Sequence, residues 1–468
     1  MNHSPKASKS MSDIAKQLLD LAKKAGAMHA DALSVIDTGE SVDIRHGTLE
    51  SIERENSRGV GLRAFVETNK GLAFASASTS DVSEAGLKKL AEQVLTMAKI
   101  SEPDPDAMPP EGAEHPSAFE LDAWQKKYPH QNHGWNTEQA KNAALSCEAA
   151  ALAYSDKISN SEGASASFGE TSIAYAASDG FIASYERASS SLSISVISGE
   201  GESMQRDYAY TQARQAKQLS PASEIGQEAA ERALRLLGAS GLHSRNTTVI
   251  FEPRIASSIL SHLVSAINGR SVLQKRSFLN NAVNEKIFPD FIHISDEPDH
   301  AKGMGNRLFD GEGTRCQARN IIEAGKLTGF LTDRYAAKRL GTTPTGHARR
   351  GLTGDTGIGT SNLILQPGTE DLDAILHDIS NGILITELMG FGINGVTGDY
   401  SRGASGFLIE NGKLSRPVQA FTIAGNLKDM FANISHIGND LTWFGAIAVP
   451  SIAIGNMTIA GESPINRV

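Results

Sequence analysis

Residues 381–417 read NGILITELMGFGINGVTGDYSRGASGFLIENGKLSRP, and this stretch decides how the second half of the chain is interpreted. An apolar run, ILITELM, leads into the pattern GxGxxG at residues 390–395. A dinucleotide site needs a helix directly after these glycines, so that the helix N-terminus faces the pyrophosphate. The residues that follow, VTGDYSRGASG, are instead rich in glycine and turn formers. The sequence therefore predicts a glycine-bent connection between two strands and excludes a nucleotide site.

The rest of the second half of the chain is also rich in glycines and strand-like runs. From residue 247 onwards, many short strand-like runs are separated by glycines. Helical spacing of apolar residues occurs at 253–268 and again near 371–380. This pattern predicts a C-terminal β-rich, barrel-like domain that contains a few helices.

The first half alternates between helical and strand patterns. Helix, strands and helix follow each other twice, which predicts helices at 13–25, 82–100, 137–154 and 223–237. Ser12 is the predicted N-cap of the first helix. Residues 69–71 and the dipeptide Asp179-Gly180 are typical of tight turns between antiparallel strands. The predicted fold class is therefore α+β, with mixed helices and antiparallel strands in the N-terminal half.

The domain boundaries follow from these patterns and from a proline-rich stretch, SEPDPDAMPPEGAEHP, whose composition is typical of an extended connector. We predict a disordered tail at 1–11, an α+β subdomain at 12–101, a connector at 102–135, a second α+β subdomain at 136–239 and a peptidase-like β-rich domain at 240–468.

Composition and charge exclude several classes of protein. The formal net charge is −10 and the pI is about 5.8, so a direct contact with nucleic acid is disfavoured. The N-terminal residues MNHSPKASKS lack the apolar segment of a signal peptide. The longest apolar stretch, 443–455, is broken by Pro450 and is shorter than a membrane span. These features predict a soluble protein with no membrane contact.

The cysteines point to a reducing compartment. Cys147 and Cys316 are the only two, which excludes a disulfide framework and a CxxC motif. Cys147 lies in a helical pattern and Cys316 in a strand-like run, and both are interpreted as small core residues. A cytoplasmic location is therefore expected.

Long segments of the chain resemble the TldD/PmbA family, which is also called the modulator of DNA gyrase family. The resemblance spans residues 12–468 and is most specific within 381–417. The segments that carry it are EPRIASSILSHLVSAINGRSV (252–272), GKLTGFLTDRYAAKRLGTTPTGHARRG (325–351), SNLILQPGTEDLDAIL (361–376), the stretch quoted above, and IAGNLKDMFANISHIGNDLTWFGAIAVPSIAIGNMTIAG (423–461).

This resemblance implies a cytoplasmic two-subunit metallopeptidase that acts on flexible peptides. One subunit, the TldD type, carries HExxxH on a helix and a later cysteine as the third zinc ligand. The PmbA or TldE type pairs with it and lacks those residues.

The motif positions of this chain match the second type. His262 stands at the first histidine, Leu263 at the glutamate and Ile267 at the second histidine. The segment VPSIAIGNMTIAG has no cysteine. A zinc site needs about three protein ligands, and a zinc-bound water needs a base that leucine cannot supply. The resemblance therefore implies no catalytic residue and no cofactor in this chain, with zinc in the partner subunit.

His262 also has a structural interpretation. It follows Ile259 by three residues and Ile255 by seven, which places it on or beside the apolar face of its helix. We expect a packed core histidine.

Polar residues of the glycine-rich loops are the candidates for contact with a peptide or with the partner. They are His347, Arg349 and Arg350 in PTGHARRG, and Asp399 and Arg402 in GDYSRG. Loops of this composition also serve as ordinary connections, so both interpretations remain open.

Three hypotheses follow. The leading one is a non-catalytic subunit that forms a heterodimer or a higher complex with a TldD-type partner, and that can form a homodimer in isolation. The second is an autonomous peptidase with an unrecognised site. The third is a regulatory binding protein that acts on DNA gyrase or its inhibitors, against which the net charge argues where direct DNA contact is concerned.

Overall fold

The computed structural model describes residues 10–128, 133–353 and 356–461. Most of the predicted disordered tail lies outside these residues. The first described helix begins at Met11, one residue before the predicted subdomain.

A six-stranded antiparallel sheet forms the N-terminal half, with the strand order β3-β2-β1-β4-β5-β6. The two predicted subdomains share this sheet, because β1 pairs with β4 along almost its whole length. The strands are β1 (His29–Arg45), β2 (Thr48–Thr68), β3 (Gly71–Thr79), β4 (Ile158–Ala177), β5 (Ile182–Ser198) and β6 (Gln205–Ala213).

Helices cover this sheet in two groups, each with its own apolar core. The helices are α1 (Met11–Lys24), α2 (Glu84–Ile100), α3 (Ala118–Lys127), α4 (Thr137–Leu152) and α5 (Ala222–Arg235), with short 3₁₀ turns at Gly201–Ser203 and Ala216–Gln218. One core lies between α1, α2 and strands β1 to β3. The other lies between α4, α5 and strands β4 to β6. Each half of the sheet is thus a helix, three strands and a helix.

The N-cap of α1 is Ser10 and not the predicted Ser12. The reason is a capping box. The Ser10 hydroxyl accepts a hydrogen bond from the Asp13 amide at 3.2 Å, and the Asp13 carboxylate accepts one from the Ser10 amide at 3.2 Å. An aspartate three residues after the cap offers this reciprocal pair, whereas Ser12 is adjacent to Asp13.

A closed barrel dominates the C-terminal half. Its strands run in the order β16-β15-β14-β7-β20, and β16 also pairs with β20, which closes the sheet. The predicted barrel-like domain and the α+β fold class are therefore confirmed. The barrel strands are β7 (Arg245–Phe251), β14 (Gly382–Ile393), β15 (Asp399–Glu410), β16 (Lys413–Asn426) and β20 (Ile452–Gly461), with β17 (Ile434–Ile437) beside β20.

A second six-stranded sheet packs beside the barrel in the order β10-β9-β8-β13-β19-β18. Its strands are β8 (Ile294–Asp296), β9 (Arg319–Glu323), β10 (Lys326–Leu327), β13 (Leu363–Leu365), β18 (Thr442–Phe444) and β19 (Ile447–Val449), and β11 (Ala348–Arg349) pairs with β12 (Gly357–Ile358) separately. The helices of this half are α6 (Pro253–Ala266), α7 (Gly269–Leu273), α8 (Arg334–Leu340), α9 (Leu372–Ile379) and α10 (Leu427–Ala432).

Cys316 is buried but does not lie in a strand, so the strand interpretation of its surroundings is wrong. The alternation in the sequence reflects burial in a loop, in which the Cys316 thiol donates to the Gly346 carbonyl at 3.1 Å. Burial raises the pKa of both Cys147 and Cys316 to about 12, as expected of core thiols.

Residues 102–128, which belong to the predicted connector 102–135, hold α3 and contact both halves of the molecule. Arg334 at the start of α8 donates to the carbonyl of Glu111 at 2.7 Å. His115 contacts the Gly313 carbonyl at 2.8 Å and the Asp179 carboxylate at 2.7 Å. Composition alone predicts an extended connector, and its described part is held by contacts with both halves of the molecule.

A buried ionic network joins the N-terminal sheet to the C-terminal half. Arg63 on β2 donates to Asp31 at 2.6 Å and to Glu312 at 3.2 Å, and Arg350 also contacts Asp31. The Tyr175 hydroxyl lies 3.2 Å from the Asp31 carboxylate. Burial alone would raise the pKa of Asp31, but the two guanidinium groups hold it below its usual value.

Among the described residues, no helix combines the length and the apolar composition that crossing a bilayer requires.

We predict that Arg63→Met lowers the free energy of unfolding by about 3–5 kcal/mol, because it leaves the buried Glu312 carboxylate without its ion pair. Arg54→Met on the same strand is the matched control, since the side chain of Arg54 is 71% exposed in its pair with Glu40 and the pair is worth about 0–1 kcal/mol. Chemical denaturation of both variants measures the difference. Equal losses would contradict a special role for the buried network.

We also predict that Gly226→Ala destabilises the protein by about 1–3 kcal/mol, although alanine is the better helix former. A Cβ at Gly226 of α5 would lie 2.1 Å from the Cys147 carbonyl oxygen of α4, so the two helices would have to separate. Gly329→Ala is the control, because no atom lies within 4 Å of its added Cβ. Thermal unfolding of the two variants tests this, and an unchanged midpoint for Gly226→Ala would refute the close approach.

Candidate functional site

Helix α6 packs against the barrel through the positions that resemble a metal-binding motif. Pro253 occupies its first turn, where a missing amide hydrogen costs nothing. Leu263 is 1% exposed and Ile267 is completely buried, and both belong to the main core of the C-terminal half. The residues at the glutamate and second histidine positions are therefore core residues.

His262 lies beside this core and is half-buried. Its ring stands edge-on to Tyr400 of β15, with ring centroids 5.9 Å apart and planes at 72°. The Nε2 atom is buried and has no hydrogen-bond partner among the described residues. Burial, and secondly the charge of Arg402, lower the pKa of His262 to about 4, so the imidazole is neutral at pH 7.

These residues do not fit a zinc ion. One imidazole is present, the adjacent helix positions are aliphatic, and Arg402 places a positive charge beside the imidazole. β20, in the segment where the third ligand would be expected, contains no cysteine. Across residues 10–128, 133–353 and 356–461, no group of three His, Cys, Asp or Glu side chains is arranged to hold a metal.

The glycine pattern at 390–395 lies at the tip of the β14–β15 hairpin. Gly390 has a φ of +77°, and a Cβ at Gly392 would lie 1.9 Å from the Ser401 carbonyl oxygen of the paired strand. The register shifts between Met389 and Gly392, which is a bulge. The glycines thus allow a bulged hairpin, and the predicted strand connection is confirmed. Helix formation, which a dinucleotide site requires, does not follow them.

The side chains of His347 and Arg350 are buried in the interior of the protein. The His347 ring contacts the Asp296 carboxylate at 3.2 Å and the Thr345 hydroxyl at 2.9 Å, and the residue is 1% exposed. Arg350 contacts Asp31 in the ionic network, and its side chain is 2% exposed. Both groups therefore make contacts that join parts of this chain.

Arg349 is also mostly enclosed. Its guanidinium donates to the Thr360 carbonyl. Burial, together with the nearby charges of Arg307 and Arg187, lowers the pKa of Arg349 to about 10. The three candidates of the PTGHARRG loop thus do not form one exposed surface.

Asp399 and Arg402 both lie on β15, close to the hairpin tip. Asp399 is exposed, and its carboxylate accepts hydrogen bonds from Thr397 at 2.6 Å and Asn426 at 3.2 Å, which lower its pKa. Arg402 is half-buried and donates to the Leu388 carbonyl at 3.4 Å. Of the predicted site residues, the structure brings His262 and Arg402 together, with Arg349 and Arg350 elsewhere.

Tyr400 is the residue that sequence reasoning missed. It is 1% exposed, and burial raises the pKa of Tyr400 to about 12, although the guanidinium of Arg402 acts in the opposite direction. Its position two residues before Arg402 is the signal that could have found it, because alternate residues of a strand point to the same face.

Three family models match consecutive parts of the chain. They are described as PmbA/TldA metallopeptidase domain 1, which matches residues 30–98, the central domain, which matches 133–237, and the C-terminal domain, which matches 244–461. Together they cover well over half of the sequence.

Relatives with high coverage are named metalloproteases. The metalloprotease PmbA homolog of Haemophilus influenzae is 35% identical over 445 residues, which is 95% of this chain and 94% of the relative. Metalloprotease PmbA of Escherichia coli O157:H7 is 35% identical over 425 residues, which is 91% of this chain and 90% of the relative.

Solved structures share the fold over nearly the whole chain. A crystal structure from Bacteroides thetaiotaomicron, described as a candidate modulator of DNA gyrase, has a TM-score of 0.85 and 28% identity, covering 96% of this chain and 98% of that one. TldE from Thermococcus kodakarensis has a TM-score of 0.82 and covers 95% of this chain and 99% of its own, but at 21% identity it supports the fold alone.

The resemblance that the sequence motifs carry is therefore confirmed: the chain belongs to the PmbA/TldD family of metallopeptidases.

Proposed function

We propose that this chain is the PmbA/TldE-type, non-catalytic subunit of a two-component cytoplasmic zinc metallopeptidase that processes or degrades flexible peptides. The observation that carries the proposal is the burial of Leu263 and Ile267 in the core at the motif positions of α6. Membership of a peptidase family indicates peptide hydrolysis as the reaction. The aliphatic residues at the motif positions are the reason for assigning that reaction to a partner subunit.

Metal-assisted peptide hydrolysis needs a metal that polarises the scissile carbonyl and a base that accepts a proton from the attacking water. At α6 the base position is Leu263, and one imidazole remains in place of a ligand set. The Arg402 guanidinium beside this imidazole further opposes cation binding. The zinc and the base are therefore assigned to a TldD-type subunit.

The contribution of this chain is to bury an interface with that subunit and to form part of the wall around the peptide. The β14–β15 hairpin suits this role because Phe391 is 96% exposed, Met389 is 46% exposed, and Asp399 and Arg402 lie on the same hairpin. Large exposed apolar side chains of this kind mark interaction surfaces. In the absence of its partner the chain can also form a homodimer through such a surface.

The cysteines agree with a cytoplasmic location. Cys147 and Cys316 are both free and buried, so the fold does not depend on an oxidising compartment.

We predict that the purified chain contains no stoichiometric zinc and cleaves no unfolded peptide, but that cleavage appears when a TldD-type subunit of the same organism is added. Metal analysis and a peptide-cleavage assay of the chain alone, the partner alone and the mixture measure this. The control is a partner whose motif glutamate is replaced by glutamine, which should abolish cleavage by the mixture.

Other results of this experiment would favour the competing hypotheses. Cleavage by the isolated chain that survives removal of any co-purified partner would establish an autonomous peptidase. Salt-dependent binding to DNA, with no effect on cleavage by the partner, would favour a regulatory protein.

We further predict that Leu263→Glu destabilises the chain by several kcal/mol without conferring zinc binding or cleavage. Leu263 is 1% exposed, so the new carboxylate would be buried without a partner. Ser265→Glu is the matched control, because this residue is exposed on the same helix and its substitution should change stability by about 0.5 kcal/mol or less. Denaturant unfolding compares the two variants, and a stable Leu263→Glu protein that takes up zinc would contradict the assignment of α6 to the core.

A further inference from the structure

A cavity of about 620 Å³ lies between the N-terminal sheet and the second sheet of the C-terminal half. Its walls are the last residues of β6, one side of α5, the first turn of α6 and strand β18. A volume of this size is within the usual range for a ligand site. None of the motif positions of α6 and none of the candidate loop residues lines it, so this cavity is a separate feature of the chain.

Two of these walls are sheet edges. β6 is the last strand of the N-terminal sheet and β18 is the last strand of the second sheet, and each pairs with one neighbouring strand among the described residues. The outer side of such a strand presents main-chain N–H and C=O groups that have no strand to pair with. The cavity is therefore bordered by main-chain groups that can pair with another extended chain.

The contacts of Tyr208 show which main-chain groups of β6 are directed away from β5. The Tyr208 amide donates to the Asp207 carboxylate at 2.7 Å. The Tyr208 carbonyl accepts from Arg232 at 3.1 Å and from Arg254 at 3.3 Å. None of these partners belongs to β5, and both arginines line the cavity. The outer edge of β6 therefore faces the cavity.

The pairing of β5 with β6 extends this arrangement to Tyr210 and Gln212. The register is regular from Gln205 to Ala213, without a bulge. In an antiparallel ladder, alternate residues exchange both main-chain hydrogen bonds with the neighbouring strand, and the residues between them direct both groups to the other side. Tyr210 and Gln212, which both line the cavity, therefore present N–H and C=O groups on that side.

Aromatic rings form the apolar part of the cavity. The rings of Tyr210 and Phe444 have centroids 6.2 Å apart, so the two sheet edges approach each other here and leave no room for the whole sheet of a second copy beside β6. The ring of Trp443 stacks on that of His300 at 4.6 Å. Tyr210, Trp443 and Phe444 are half-buried, so side chains of a bound chain can cover the rest of their rings.

The arginines of the cavity already have partners within the chain. These partners are Glu228 for Arg232 at 2.5 Å, Asp207 for Arg254 at 2.7 Å and the Ala301 carbonyl for Arg214 at 2.8 Å. Lys302, which also lines the cavity, is exposed to water. None of these cations therefore depends on an anionic ligand. The groups that remain for a ligand are the main chain of β6 and the aromatic rings, which favours a peptide over a small anion.

We propose that an extended peptide segment binds in this cavity as an additional strand beside β6. Main-chain hydrogen bonds to Tyr210 and Gln212 supply the affinity, and the rings of Tyr210, Trp443 and Phe444 contact alternate side chains of the segment. The stretch from Tyr210 to Ala213 pairs with about four residues of the segment. That the segment belongs to the substrate of the peptidase rests on the proposed function, whereas its extended conformation rests on the sheet edge.

The test uses the full-length chain and an uncharged probe, N-acetyl-Gly-Thr-Val-Ser-Val-Thr-Gly amide. Isothermal titration compares it with two N-methylated forms, one methylated on both valines and the other on the serine and both threonines. Each form keeps every side chain but lacks the main-chain donors along one edge of the extended peptide. We expect one of the two forms to bind roughly tenfold or more weakly than the probe, as for the loss of two ordinary hydrogen bonds.

A pair of variants assigns the binding to β6. Gln212→Pro removes an outward N–H from an edge strand, where a sheet tolerates proline, and should weaken binding of the probe about fivefold or more. Gln212→Val is the matched control, because it changes the same exposed side chain but keeps the N–H, and its affinity should equal that of the native chain. Thermal unfolding checks that both variants fold. The methylated probes are compared on the native chain, so they decide the matter if Gln212→Pro does not fold.

Equal binding of the probe and both methylated forms would overturn the proposal, as would an unchanged affinity in a folded Gln212→Pro variant. Self-association that Gln212→Pro abolishes, in a chain that does not bind the probe, would assign the edge to a second copy and also overturn it. The proposed function is tested separately. Cleavage by the reconstituted pair without binding of the probe removes only this site, and binding of the probe without cleavage removes only the subunit role.

Discussion

The packing of the apolar face of α6 into the core of the C-terminal half is the interaction that decides what its motif positions can do. Ile259, Leu263 and Ile267 belong to the same core cluster as the barrel residues Val249 and Ile385. Burying aliphatic side chains of this size contributes about 1.5–3 kcal/mol each. Polar metal ligands at these positions would remove part of that stabilisation unless a bound metal replaced it. In this chain the helix is held by packing, and its stability requires no ion.

The interface between the two halves of the molecule explains why candidate residues of the PTGHARRG loop form buried ion pairs within the chain. Asp31 is at the centre of the N-terminal sheet, and its carboxylate needs partners because it is completely buried. Arg63 and Arg350 supply them from the two halves of the molecule. His347 is directed to Asp296 in the same way. Polar residues in a glycine-rich loop can therefore stabilise the fold, because their charges are already paired with other groups of the same chain.

Local patterns predicted much of the fold because they reflect local causes. Helices such as α4 and α6 follow from the spacing of their apolar residues, and the hairpin at Asp179-Gly180 from its turn residues. The pairing of β1 with β4 could not be predicted, since 120 residues (Ile44 and Ala164) to 146 residues (Asp31 and Ala177) separate the partners in the sequence and alternation does not specify a neighbour. Closure of the barrel by β16 and β20 is non-local for the same reason.

The sequence identified individual residues of the candidate site but not the contacts between them. His262 was found through a motif comparison and Arg402 through the composition of its loop, but the contact of His262 with Tyr400 on the strand of Arg402 is a tertiary feature. Tyr400 has the composition of an ordinary core aromatic, and its contact with the His262 ring is visible only in three dimensions. A buried tyrosine of this kind has no sequence signal that distinguishes it from other aromatic core residues.

The charge around His262 differs from the charge that a metal site requires. A metal site presents lone pairs towards a cation, whereas His262 has the ring of Tyr400 and the positive charge of Arg402 near it. Leu263 and Ile267 offer no lone pairs at the other motif positions, and the charge of Arg402 opposes a cation beside His262. The packing of α6 and the charge of Arg402 thus both oppose a metal at this position.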